Sequence, residues 1–301
     1  HMPAFFIISG FLYKVPKQEN LKLFSFKKSM VLLIPYVVFF VLVTVVSWAL
    51  GYLVIDIKFF QQALFGGKML VGVFGVFWFI TSLLFTIIIY TFAVLFLKNK
   101  YVFFVFILVC YFIAIAESFL IHNLQISIYV PFNIDSSLIG VLYFYLGNLL
   151  RMNYTIFKQC VLGNKIVVLL GVITVIIILF VVFNDFKFDM KYQFYGGYFM
   201  DIYIPTLITL GLLAIVIILI NSISYFNNIF VLIGRSSLLI MYIHLLMKNI
   251  MIETNIYNIP LFIVLSIIIS VLLLKLLEKN KVTSLLFLGD IRSIKFNKNE
   301  V

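Results

Sequence analysis

HMPAFFIISGFLYK, residues 1–14, opens the chain. A His and a Pro lead into an apolar run carrying Phe5, Phe6, Ser9 and Gly10, and Lys14 closes it. The run does not alternate and it stops at a charge, the pattern of a helix ending at a membrane boundary. An imidazole at that boundary, next to a small-residue Ser-Gly step, is unusual in a helix that only faces lipid. The order of residues therefore marks His1, Ser9 and Gly10 for attention before anything downstream is read.

Outward from this stretch the same apolar character persists. Hydrophobic residues make up 64% of the 301, charged residues 11%, and the mean hydropathy is +1.21. Soluble domains carry about 45–50% apolar and about 25% charged residues. One water-soluble core cannot hide this much apolar surface, so the chain reads as an all-α, polytopic integral membrane helical bundle. Backbone groups in hydrocarbon must be satisfied internally, and non-alternating apolar runs of about 20 residues do that as helices. Nine spans are expected, near residues 1–14, 29–53, 69–97, 101–121, 137–150, 166–183, 202–220, 229–252 and 259–277. A surface helix is expected within 55–68, and a basic tail over 278–301. The whole reads as a single domain, 1–301.

The net charge of +11 does not call for nucleic acid, because Lys and Arg gather in the cytoplasmic loops of membrane proteins. Sixteen of the 22 basic residues fall on one set of alternate loops, five on the other, and Arg235 lies within a span. This bias predicts a cytoplasmic C-terminus and places His1 at the outer end of its segment. Cys110 sits in an apolar run and Cys160 in a basic loop, so no disulfide and no metal site are expected.

Ionisable groups inside hydrocarbon are costly and mark function. Those singled out are Arg235, His244 and Glu117, with His1 and Lys248 at a boundary. Arg235 and His244 are nine residues apart, a rise of about 13 Å on one helix, so they cannot act as a catalytic pair. Each has a plainer role available. His244 could bond a neighbouring helix, Arg235 could reach the headgroups, Ser9-Gly10 could be a packing step, and Trp78 could belong to an interfacial belt.

Five stretches, taken in order, resemble acyltransferase family three, a family of membrane O-acyltransferases, and within it the fucose 4-O-acetylase and polysaccharide O-acetyltransferase type. They are HMPAFFIISGFLYK (1–14), FKKSMVLLIPYVVF (26–39), VFWFITSLLF (76–85), YFYLGNLLR (143–151) and IGRSSLLIMYIHLLM (233–247). The resemblance implies ten core spans and an Arg about ten residues before the functional His. On this reading the first family span and its Arg lie upstream of His1, and the chain is an N-terminally truncated enzyme.

What the resemblance implies about chemistry is transfer of an acetyl or similar acyl group from acyl-CoA. The acceptor is a hydroxyl of a sugar, cell-surface polysaccharide or lipid-linked glycan, at the bacterial cytoplasmic membrane. Such a transfer needs a base or a nucleophile, which an imidazole supplies near neutral pH. His1 is the first candidate and His244 the second, with Ser9 as an oxyanion donor. Arg235, Lys27 and Lys28 are the candidates for the CoA phosphates. The competing reading is a transporter or flippase for a lipid-linked glycan with the histidines as a proton relay.

Overall fold

The computed structural model describes residues 1–16, 21–163, 171, 173, 174, 176, 177, 180, 186–195 and 199–290. The described helices are α1 (Met2–Leu12), α2 (Leu21–Ala49), α3 (Ile57–Phe65), α4 (Phe77–Phe96), α5 (Lys100–His122), α6 (Ser136–Met152), α7 (Tyr154–Leu162), α8 (Met200–Ser222), α9 (Ser224–Glu253), α10 (Ile259–Leu277) and α11 (Lys281–Leu288). Two short antiparallel strands, β1 (Phe188–Asp189) and β2 (Phe194–Tyr195), pair Phe188 with Tyr195 and Asp189 with Phe194. The chain is an integral membrane helical protein. Among the described residues, six helices are long and apolar enough to cross a membrane: Leu23–Ala49, Gly72–Phe96, Lys100–His122, Met200–Ser222, Tyr225–Glu253 and Ile259–Leu277.

Of the nine expected spans, the first and fifth are α1 and α6, of 11 and 17 residues, and neither is among those six. Two thirds of the expected span at 166–183 lies outside the described residues. α2 begins at Leu21 rather than near 29, so Lys27 and Lys28 are helical and not in a loop. Lysine is a good helix former, and its long stem can lie along apolar surface while the ammonium stays wet. The earlier start also makes Pro35 an interior proline, tolerated in spanning helices where neighbouring groups re-satisfy the backbone. The basic tail is not wholly irregular, since Asn280 caps α11 by accepting from the Val282 N–H at 2.9 Å.

The residues fall into two compact units. Unit 1 comprises His1–Val15, Phe85–Val130 and Ile134–Asn227; unit 2 comprises Pro16–Leu84, Pro131–Asn133 and Asn228–Val301. The division passes through α4.

In unit 1, α1 lies against α6 with almost no side chain between them. A Cβ on Gly10 would strike the carbonyl of Phe144, and one on Gly147 would strike the carbonyl of Ile7. Small residues that let backbones approach are the usual adhesive of helices in lipid, where apolar burial gives little drive. Tyr13 follows α1 and wedges its ring edge-on to Tyr90 and Phe144, with centroids 5.5 and 5.3 Å away. Its hydroxyl donates to Thr91 at 2.9 Å.

Unit 2 is held by rings. Phe39 stacks on Tyr242 at 4.6 Å, and Phe77 lies 5.1 Å from the same tyrosine. Phe40 meets Phe74 and Phe77 at 5.0 and 5.3 Å. Phe39 also takes Phe287 of α11 edge-on at 5.5 Å, which fastens α11 to α2.

Candidate active site

α1 and α6 run parallel. Phe6 abuts Gly140 near their starts and the Arg151 guanidinium donates to the Tyr13 carbonyl near their ends, with the Gly10–Phe144 and Gly147–Ile7 contacts at the crossing between. His1 precedes Phe6 by five residues and Ser136 precedes Gly140 by four, which is about 7 and 6 Å of helix rise respectively. His1 therefore stands at the end of unit 1 where α6 begins. It is the exposed N-cap of α1 and makes no side-chain cap hydrogen bond.

That end carries a buried polar layer that the sequence reading did not pick out. The β1–β2 hairpin is pinned to α5 and α6 by two serines. Ser136 donates to the Met190 carbonyl at 2.6 Å and accepts from Gln193 Nε2 at 3.0 Å. Ser118 accepts from the Tyr195 N–H at 3.0 Å. Asp135 caps α6 by accepting from the Ser136 N–H at 2.8 Å, and Asp189 accepts from the Lys191 N–H at 2.8 Å. Asp135, Ser136, Lys191 and Gln193 are all buried. Burial lowers the Lys191 ammonium from its ordinary value, against an opposing pull from Asp189. Burial, with Asp135 and Glu117 adding to it, pushes the Tyr195 hydroxyl up. Gln193 turns the hairpin with a φ of 51°, and nothing in the residue order of a Tyr- and Phe-rich loop announces a hairpin latched by serines.

Ser9 is half-buried on α1 and eight residues from His1, about 12 Å along the axis. Ser9 thus lies on the same helix as His1, about two turns further along it. Its neighbour Gly10 makes the close-packed step against Phe144. Trp78 is 4% exposed, so it is a core residue and not part of an interfacial belt. Cys110 and Cys160 are both free, and Cys160 lies in α7 rather than in a loop. Among the described residues no cluster of His, Cys, Asp and Glu could hold a metal ion.

In unit 2, α9 carries both Arg235 and His244, and the two make separate contacts. His244 Nδ1 lies 2.9 Å from the carbonyls of both Ile240 and Met241 on its own helix. Carbonyls only accept, so Nδ1 holds the proton and Nε2 is the basic atom of the neutral ring. Arg235 is exposed and donates to Glu278 at 2.6 Å. A cavity of about 470 Å³ opens beside this pair, lined by Arg235, Leu274, Glu278, Ser284, Leu288 and Asp290.

Lys27 and Lys28 stand near the same cavity. Gly289, between the lining residues Leu288 and Asp290, has a φ of 66° and sits directly on the Val31 carbonyl of α2, where a Cβ would not fit. Val31 is three residues, about 4.5 Å of helix, beyond Lys28. Lys28 rests its ammonium 5.8 Å from the Phe24 ring. The structure thus brings Arg235, Lys27 and Lys28 to one region of unit 2, and His1 and Ser9 onto one helix of unit 1.

No curated protein and no solved structure matches the chain. The acyltransferase domain of family 3 matches residues 1–275, and with nearly the whole length covered the chain belongs to that family of acyltransferases.

Proposed function

We propose that the protein moves an acetyl or similar acyl group from acyl-CoA to a hydroxyl of a sugar, in a cell-surface polysaccharide or lipid-linked glycan. The donor meets the protein on the cytoplasmic side of the bacterial plasma membrane, where the basic loops and the C-terminus lie, and the acceptor arrives from the other side. His1 is the base that takes the proton from the acceptor hydroxyl as its oxygen attacks the thioester carbonyl; CoA thiolate leaves and collects a proton. His244, with Nε2 basic, is the second candidate for that role. Arg235, Lys27 and Lys28 attract the donor's phosphates.

The observation that carries this reading is the parallel clamp of α1 on α6. It supports a rigid placement of the imidazole beside a layer of hydroxyl, amide, carboxylate and ammonium groups, the donor and acceptor chemistry that recognises a polyol. Oriented groups of this kind supply the positioning on which transfer between two bound substrates depends. The sparseness of mid-membrane carboxylates in the sequence counts against a proton-driven flippase, the competing reading.

The test is label transfer from radiolabelled acetyl-CoA to glycan in membranes holding the intact protein. His1→Ala is expected to insert normally and to lose transfer by about 100-fold or more, the scale of general-base catalysis. Undiminished transfer by His1→Ala would remove it as the base and turn attention to His244. Glycan movement without label would favour the flippase.

A further inference from the structure

We infer that the Arg235 cavity holds the phosphate-bearing nucleotide end of the acyl donor, and that Glu278 occupies the guanidinium until the donor arrives. This inference rests on the acyl-CoA reading above and adds Glu278 and Ser284 to it.

The cavity has the size of a ligand site, about 470 Å³, within the common range of about 300–1,000 Å³. Among the described lining residues the cation is Arg235, and it is already engaged, at 2.6 Å from Glu278 Oε1. The arginine and glutamate side chains are 57% and 32% exposed, so water reaches the pair. A solvated ion pair is held weakly and is easily exchanged. A phosphate offers the guanidinium the same charge with more acceptor oxygens, and the planar fork of arginine suits it. Glu278 is thus a carboxylate standing where a phosphate oxygen would stand.

The surroundings favour that exchange. Lys275, Lys279 and Lys281 flank Glu278 in sequence and are all exposed. Lys28 lies one turn from the Val31 carbonyl on which Gly289 rests. These ammonium groups draw in a polyanion and receive Glu278 once it lets go. The Ser284 hydroxyl, also in the lining, serves a ribose or phosphate oxygen. Leu274 and Leu288 give the apolar wall that a base needs.

The sign of one substitution separates a placeholder from a structural tie. Glu278→Gln keeps shape but releases the guanidinium, and the KM for acetyl-CoA is expected to fall about threefold, with the KM for glycan unchanged. A KM for acetyl-CoA that is unchanged or raised overturns the inference. As a second variant, Ser284→Glu adds a carboxylate to the cavity and is expected to raise the KM for acetyl-CoA about tenfold; no change there also overturns it. The same measurements in nanodiscs with and without phosphatidylglycerol distinguish a lipid phosphate. If Glu278→Gln tightens retention of phosphatidylglycerol while the KM for acetyl-CoA stays put, the cavity serves a headgroup and the donor assignment is wrong. Should the wild-type protein transfer no acyl group at all, the function reading fails and takes this inference with it. Transfer by the wild type with the wrong sign for Glu278→Gln sinks the cavity assignment alone.

Discussion

Unit 1 and unit 2 solve helix packing in lipid by opposite means. In unit 1, α1 and α6 touch backbone to backbone through Gly10 and Gly147. In unit 2, α2, α4 and α9 are kept apart by rings, with Phe39, Phe77 and Tyr242 filling the gap. Backbone contact is rigid, because no side chain can rotate to absorb an error. Ring contact is adaptable, because aromatic surfaces slide and refill. The candidate base sits on the rigid arrangement. The Arg235 cavity lies beside α11, which Phe287 on Phe39 ties to the ring layer and Gly289 on the Val31 carbonyl ties to α2.

The sharpest way to break this comparison is to put a side chain into the clamp. Gly147→Val has no room against the Ile7 carbonyl and is expected to destabilise unit 1 by about 3 kcal/mol or more, read as a lowered unfolding midpoint in detergent. A tolerated valine would mean that α1 is not clamped. The matching change in unit 2, Phe39→Leu, should cost less than about 1.5 kcal/mol, as cores accept hydrophobic swaps of similar volume. A larger loss there would show the ring layer to be as unforgiving as the glycine layer. A third substitution sharpens the point about glycine. A Cβ on Gly234 of α9 meets nothing within 4 Å, so Gly234→Ala should stabilise by up to about 1 kcal/mol through helix propensity alone.

The smallest effect expected is a pH dependence. Burial lowers Lys191 from its ordinary 10.5. The unfolded chain then holds a proton that the folded one has released, so stability rises with pH on the approach to 10.5. Lys191→Met should flatten that rise, checked by unfolding midpoints from neutral to alkaline pH; an unaltered slope would show that Lys191 is not the group responsible.

How much was legible beforehand varies along the chain, and the reasons are physical. The span expected at 259–277 is α10 to the residue, because Pro260 marks its first turn and a charged stretch follows Leu277. α2 starts eight residues before the expected residue 29, because the apolar stems of Lys27 and Lys28 let the helix continue. Trp78 was weighed as a belt residue, yet it is buried; exposure at membrane depth depends on which helices flank it. The hairpin was invisible, since its strands are two residues long and its stability comes from Ser118 and Ser136 on distant helices. The Arg235–Glu278 pair joins residues 43 apart in the chain, and no local pattern links them.

The sequence by itself determined that this is a helical membrane protein of an acyltransferase family. Apolar run length and the order of short motifs along the chain are local properties, and solvation by lipid acts on them one segment at a time. Only the tertiary structure decided which polar groups stand at the His1 end of α1, and that Arg235 is already paired beside an open cavity. Those facts depend on the register of α1 against α6 and of α11 against α2, and register is set by where glycines let one backbone reach another.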